Sequence, residues 1–285
     1  MRWTLIDYNP ESITELHATE DALFELLSTG GITPTILISQ LRNKGITLSA
    51  NQSIEDVRLD EAIADGIDVL RRKTGGRAML LGPKYLILSF FAQESQLQTR
   101  GVHDSYSFIL TNYIVAPLES VFGIKATIEN VNDLVCDGKK FGGAAQKKAH
   151  DSILVHCYIR LEEDNHEMVR YVTLGGIPLE PYVSQIDDFA QSISTITQRN
   201  VFLNSLRSAI VQNIDHEPRE LTPDEMFLSQ MKAEEYTRNE ALKALPTEGT
   251  SYRGHCDIIG GSGAMMYYKI PELETLVKEK GMNVR

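Results

Sequence analysis

Cysteine is scarce in this chain: the 285 residues hold three, Cys136, Cys157 and Cys256, with no Cys-x-x-Cys pair. An odd number without paired spacing indicates neither a disulfide framework nor a zinc site. Long apolar runs are missing too, and none approaches the roughly 20 residues that a membrane-spanning helix needs. Positive charge is in deficit, with 28 Lys and Arg against 39 Asp and Glu and a formal net charge of −11. That balance argues against general nucleic-acid binding, which depends on neutralising phosphates. The start, Met1-Arg2-Trp3-Thr4, enters a strand-like segment with no apolar leader. No internal repeat or low-complexity stretch interrupts the chain. These absences predict a cytoplasmic globular protein with neither membrane nor nucleic acid as a partner.

The chain is 42% hydrophobic and long enough to bury a large core. Period-two patterning predicts strands over residues 2–8, 34–38, 46–49, 66–70, 79–81, 85–91, 125–128, 133–136, 141–146 and 153–161. Helical spacing predicts helices over 13–27, from Ser53 through Ile63, over 104–122 with a kink at Pro117, and over 193–214, 223–242 and 271–280. Leu59, Ala62 and Ile63 would line the second of these, and Leu110, Ile114, Leu118 and Val121 the third. Thr222 is the predicted cap of the helix opening at Pro223. The fold class expected is α/β (α+β), a mixed and largely antiparallel sheet flanked by helices. Residues 1–245 would form the main domain and 246–285 a short extension with a terminal helix. Tyr252–Gly263, glycine-rich around His255-Cys256-Asp257, reads as a lid or a tail.

Cations concentrate in two places. Arg71-Arg72-Lys73-Thr74-Gly75-Gly76-Arg77-Ala78 places arginines before a glycine pair, as in a turn whose amides and guanidinium cradle an anion; the plainer reading is a solvated hairpin. No lysine–hydroxyl pair follows the glycines, so it is not a Walker loop, and it is not a dinucleotide fingerprint. Gly138-Lys139-Lys140-Phe141-Gly142-Gly143-Ala144-Ala145-Gln146 starts a strand after an Asp137-Gly138 hairpin turn. Alternation sends Lys139 and Lys140 to opposite faces, so one points inward, and spacing alone leaves open which. Cys136, four residues before Lys140, shares its face by the same count. Asn132 and Asp133 stand where they could orient a ligand or simply build a turn. His156, inside an apolar strand, reads more readily as a hydrogen-bonded core residue than as a catalyst.

Taken together, the first island resembles the RRxTGGRA motif of the lipoate–protein ligase and octanoyltransferase family. Asn132–Gln146 resembles that family's NDLxVxGKKxxGxAQ block. Their separation, the strand bearing His156, and the Glu20-Asp21-Ala22-Leu23 and Asp65-Gly66-Ile67-Asp68-Val69 segments also fit, so the likeness covers about residues 2–245. It implies the fold shared with biotin ligases and the core of class II aminoacyl-tRNA synthetases. Lys140 then matches the catalytic lysine at the acyl carbonyl and adenylate phosphate. Arg72 matches the nucleotide-contacting arginine, and Gly75, Gly76, Arg77, Ala78 and Met79 the loop around acyl chain and nucleotide. Asn132, Asp133, Gly143 and His156 are carried over as binding residues, and no protein metal ligand is expected.

The resemblance also implies lipoate or octanoate as substrate, ATP with Mg2+, and a lipoyl-AMP intermediate. Implied acceptors are lipoyl domains of 2-oxoacid dehydrogenase E2 subunits or the glycine-cleavage H protein. Transferases of the family carry a nucleophilic cysteine at one of two places. The matching positions here read Ile124-Lys125-Ala126 and Ile177-Pro178-Leu179, without cysteine, which favours an adenylate-forming ligase. Alternatives are transfer from preformed lipoyl-AMP or from an acyl carrier protein, and a non-catalytic binder of acyl-adenylate or lipoyl domains. Leu81 replaces a histidine usual after the first motif and cannot move a proton. Together with the short C-terminal part, it predicts an activating partner or accessory-domain protein.

Overall fold

A computed structural model of the chain describes residues 1–199, 201, 203–237 and 270–280. Its strands, in chain order, are β1 (Trp3–Tyr8), β2 (Thr35–Ser39), β3 (Gly45–Leu48), β4 (Asp68–Arg71), β5 (Met79–Leu81), β6 (Tyr85–Gln93), β7 (Thr127–Glu129), β8 (Asp133–Cys136), β9 (Lys139–Ala149), β10 (Ser152–Arg160), β11 (Thr173–Leu174), β12 (Ile177–Pro178) and β13 (His216–Arg219). The helices are α1 (Ile13–Ser28), α2 (Leu59–Ala64), α3 (Glu94–Leu97), α4 (Val102–Leu110), α5 (Ala116–Phe122), α6 (Asn165–Tyr171), α7 (Val183–Phe189), α8 (Ile193–Thr197), α9 (Leu203–Val211), α10 (Pro223–Thr237) and α11 (Pro271–Glu279).

An eight-stranded sheet runs β13-β1-β2-β6-β10-β9-β8-β7, and a three-stranded sheet runs β4-β3-β5. Within the large sheet β1 is parallel to both β2 and β13, while the pairings from β2 to β7 are antiparallel. This is the mixed, largely antiparallel sheet expected. Val155, Cys157 and Ile159 of β10 face a core built with Ile109, Leu110, Ile114, Leu118, Leu206 and Ile210 from the α4–α5 and α9 layer. The opposite face carries His156 and Tyr158 and is covered by α1, which in turn packs along α10. A further cluster joins the small sheet to α6, α7 and α11. Leu273 and Val277 of α11 are fully buried there, and Lys280 Nζ donates to Gly175 O at 2.9 Å.

Caps set the helix starts. Ser12 Oγ accepts from Glu15 N at 3.2 Å ahead of α1. Before α10, Thr222 and Glu225 cap each other reciprocally through side chain and backbone.

Several elements differ from their predicted form. The Ser53 cap starts only a one-turn helix, Ile54–Asp56, because Val57 leaves it to bridge Val172; α2 follows separately, with Ile63 at 63% exposure. The 104–122 helix widens into a π-helical stretch, Thr111–Val115, two residues ahead of Pro117, which has no N–H for a regular turn. Val121 faces solvent rather than the stripe. The 193–214 span is two helices, since Gln198 ends α8 in a left-handed conformation (φ 52°). Strand β13 and helices α6 and α7 were not predicted. Residues 238–242 of the predicted helix, and Tyr252–Gly263 with Cys256, lie outside the described residues.

Candidate active site

The site forms where the β8–β9 hairpin meets the loop that follows β4. Asp137 (φ 50°) and Gly138 (φ 74°) turn the hairpin with both residues left-handed, which aspartate and glycine tolerate. Beyond the turn Cys136 pairs with Lys139 and Val135 with Lys140; Leu134 then pairs with Gly142, leaving Phe141 as an extra residue on β9. This bulge re-aims the strand. Lys140 and Gly143, three apart, point to one face, and a Cβ on Gly143 would lie 3.2 Å from Lys140 Cε and Nζ. Lys139 goes the other way and donates to Asp187 O at 3.0 Å. Cys136 is not on Lys140's face. Counting residues through the turn gave the wrong parity, and its side chain joins the helix-layer core.

Lys140 Nζ forms an ion pair with the fully buried Asp133, whose other oxygen lies 3.4 Å from Asn130 Nδ2. Asn132 donates to Ala144 O, and its Oδ1 has no hydrogen-bond partner among the described residues. Asn130 and Val131 hold positive φ (46° and 76°), so the approach to β8 is conformationally constrained, most severely at the β-branched Val131.

The Arg71–Ala78 segment folds around its own arginines. Arg72, 2% exposed, donates to Thr74 Oγ1 (2.9 Å), Gly75 O (2.5 Å), Arg77 O (3.0 Å) and Thr47 O (3.2 Å). Gly76, at φ 97°, lets that guanidinium pass, since a Cβ there would sit 2.7 Å from Nη2. Arg71 turns away to the carbonyls of Ser49 and Gln52. Arg77 reaches Asp56 at 3.5 Å. Burial pushes both Arg71 and Arg72 below the usual guanidinium range, and neither has an ion pair among the described residues. Arg71 and Arg72 carry the loop's least compensated positive charge, while Arg77 and Lys73 face Asp56 and Asp21.

Two cavities meet at these parts. The larger is walled by Met79, Tyr158, Phe141, Met168, Ile186 and Phe189, with Lys140 and Arg77 as cations; Ala78 and Gly143 also line it. The smaller is lined by Arg72, Gly76, Asn132, Ala144, Ala145 and Lys140. The structure therefore brings Arg72, Gly76, Arg77, Ala78, Met79, Asn132, Lys140 and Gly143 to one connected site. Gly75 contributes its carbonyl to Arg72, and Asp133 lies behind Lys140. His156, with no exposure, lies beneath the loop.

His156 is the middle of a buried chain. Arg72 Nε donates to Thr74 Oγ1, which stands 2.9 Å from His156 Nε2; His156 Nδ1 stands 3.1 Å from Glu20. Glu20 also meets His17 Nδ1 at 2.7 Å and accepts from Ser89 Oγ at 2.6 Å. Burial opposes its charge, but His156 and His17 outweigh that and hold Glu20 well below the usual carboxylate range. Burial likewise pushes His156 down, against Glu20. With Arg72 Nε donating to Thr74 Oγ1, the threonine's own proton is free to point at His156 Nε2, an arrangement that suits a ring whose Nδ1 faces Glu20; Tyr158 Oη stands 3.1 Å from both ring nitrogens. His17, Glu20 and His156 form the one grouping among the described residues with metal-ligating spacing. Their facing atoms already bond one another.

The sequence reading missed His17 as a site residue, although a signal exists: it and Glu20 sit on the buried stripe of α1 with Ile13, Leu16, Leu23 and Leu27. The wall from α6 and α7 was also missed, because helices of 7 residues give too little period to detect. Leu81 is fully buried against Tyr85 and Tyr158, away from any proton-transfer role. Cys157 packs into the helix-layer core and burial pushes its thiol up to about 12; Cys136 is raised by burial and Asp137.

Residues 12–215 match the family model of the lipoyl protein ligase A/B catalytic domain. The octanoyltransferase LipM of Anoxybacillus flavithermus is 25% identical over 260 residues, covering 81% of this chain and 94% of that protein. A solved bipartite lipoate protein ligase from Thermoplasma acidophilum superposes at a TM-score of 0.75, with 16% identity, over 87% of this chain and 99% of that one. A lipoate-protein ligase A solved with bound ATP gives 0.70 and 18% over 86% of this chain and 100% of that one. These two structural likenesses bear on the fold.

Proposed function

This chain belongs to the lipoyl protein ligase A/B catalytic domain family, and from that premise we propose that it transfers a lipoyl or octanoyl group from an acyl-adenylate to a lysine of a lipoyl domain. The acyl-adenylate is made from ATP and the free acid on the same site. One observation carries this reading: the cavity presents Lys140 and Arg77 but no thiol among the described residues. Cys136 and Cys157 lie in the core on the other face, with thiols raised away from the reactive thiolate form.

The acyl chain lies along the apolar wall, where each buried CH2 contributes roughly 0.8 kcal/mol. Its carbonyl sits at Lys140. When the acceptor amine attacks, a C–N bond forms and negative charge develops on the carbonyl oxygen, where the ammonium stabilises it. The acyl–phosphate bond breaks, AMP leaves with the electron pair, and the amine's proton passes to solvent. Arg72 and Arg77 supply the positive field that holds the phosphate. Asp133 aims Lys140 through their ion pair.

Magnesium fits as a companion of the nucleotide. Among the described residues the carboxylate nearest Lys140 is Asp133, already paired, so Mg2+ would rest on phosphate oxygens and water rather than in a protein cage. Candidate acceptors are the lipoyl domains of 2-oxoacid dehydrogenase E2 subunits and the glycine-cleavage H protein.

A second reading, octanoyl transfer from an acyl carrier protein, is favoured by the likeness to an octanoyltransferase over nearly that protein's whole length. The two separate cleanly in solution. Protein incubated with octanoate, Mg2+ and an apo lipoyl domain should acylate the domain only when ATP is present, releasing pyrophosphate. Acylation from octanoyl carrier protein without ATP, abolished by Cys136→Ser or Cys256→Ser, would replace the ligase reading with the transferase one.

A further inference from the structure

The acyl cavity has a neighbour. On the other side of Asn165 and Ala190 lies a cleft lined by Lys139, Glu163, Asp164, His166, Asp187, Gln191 and Thr195. Asn165 and Ala190 line both spaces and so form the partition between them. It stands beside Lys140: Ala190 bridges to Lys140, and Gln191 N donates to Lys140 O at 2.8 Å.

Hydrogen bonds hold this partition, where apolar packing forms the rest of the wall. Asn165 is 2% exposed. Its Oδ1 accepts from Arg160 Nη1 at 2.7 Å, and its Nδ2 donates to Asp187 Oδ1 at 2.7 Å. Arg160 is braced from behind by Asp164 at 3.3 Å, and Asp187 accepts from Lys139 through its backbone carbonyl. The amide thus bridges a residue of the acyl cavity to residues of the cleft.

We propose that Asn165 is the water seal of the acyl cavity, a positioning residue that keeps the cleft's solvent off the activated carbonyl at Lys140. The proposal rests on the acyl-transfer reading above. A mixed anhydride is open to attack by any nucleophile that reaches it, and exclusion of water is what directs it to the acceptor amine. Where water enters, its oxygen bonds to the acyl carbon, the acyl–phosphate bond breaks, AMP leaves with the electron pair and a proton goes to solvent. The products are free acid and AMP, and the acceptor stays unmodified.

The test compares wild type, Asn165→Ala and Asn165→Leu. Each is given octanoyl-AMP and apo lipoyl domain, and the ratio of free octanoate to acylated domain is measured. Asn165→Ala opens the partition and should raise that ratio about tenfold or more. Asn165→Leu refills the space without the hydrogen bonds and should return it close to wild type. A wild-type ratio in Asn165→Ala overturns the proposal. So does Asn165→Leu behaving like Asn165→Ala, which would assign the effect to the lost hydrogen bonds instead of closure. Octanoate binding by calorimetry reads the same variants without turnover. Flooding the cavity in Asn165→Ala should weaken binding about tenfold, the equivalent of roughly two methylenes, while Asn165→Leu holds its affinity. Wild type that binds octanoate yet turns over no acyl donor would defeat the acyl-transfer reading alone, leaving the seal to be decided by binding.

Discussion

Lys140 and Asp133 are coupled, and the coupling decides how a variant should be read. Lys140→Met leaves Asp133 buried without its cation, so it should lose stability as well as activity, by about 3–5 kcal/mol for an ion pair broken on one side. Adding Asp133→Asn should return most of that stability while transfer stays down about 10²–10³-fold, the scale of losing one oxyanion donor. Thermal melting and an acylation assay on the single and double variants check this. Substantial transfer by the double variant would remove Lys140 from the mechanism. The neighbouring glycines should behave differently from each other. Gly143→Ala crowds the movable end of Lys140 at 3.2 Å and meets the backbone oxygen of Asn132 only at an ordinary 3.6 Å, so it should lower turnover with little change in melting. Gly142→Ala places Cβ 2.7 Å from the backbone oxygen of Tyr158 and should cost about 1–3 kcal/mol of stability. His156 gives a pH signature. Its folded value lies below the unfolded 6.5, so below pH 6.5 the unfolded chain binds a proton that the folded chain refuses. The stability contributed by His156 should therefore be lost as pH falls below 6.5; melting curves of His156→Gln should lose part of that slope.

At the scale of elements, what the sequence displays depends on how many residues carry the signal. Long strands and α1 declare themselves through repeated periodicity, and the Asp137-Gly138 turn through residues that tolerate positive φ. The choice between Lys139 and Lys140 does not declare itself. It is made by the bulge at Phe141, a tertiary feature with no local pattern; the parity argument about Cys136 fails earlier, at the two-residue turn that pairs Cys136 with Lys139. Helices α6 and α7 escape detection because they are short, yet with the partition at Asn165 they complete the apolar wall of the cavity. Burying His17 and Glu20 on the α1 stripe was visible in principle as polar residues in apolar positions. Helix α11 is a further case: it sits in the cluster that packs the small sheet against α6 and α7. Leu273→Ala should accordingly cost about 2–5 kcal/mol, the range for a buried leucine, and should weaken octanoate binding through the adjoining wall. An unchanged melting temperature would show that α11 does not support this cluster.

For the whole molecule, the formal charge of −11 hides a cationic interior site. Arg71, Arg72 and Arg77 are all buried beneath an acidic exterior. The large sheet separates two chemistries: its helix-layer face keeps Cys136 and Cys157 inert in the core, and its other face keeps Lys140, Tyr158 and the arginine loop around an apolar cavity. On the proposed reading, acyl transfer runs at Lys140 without a cysteine nucleophile. The most direct test is intact-mass analysis of an apo lipoyl domain incubated with octanoyl-AMP and either wild type or the Cys136→Ser/Cys157→Ser/Cys256→Ser chain. Both proteins should add one octanoyl group to the domain at similar rates. Loss of that modification in a cysteine-free chain that still melts like wild type would contradict it.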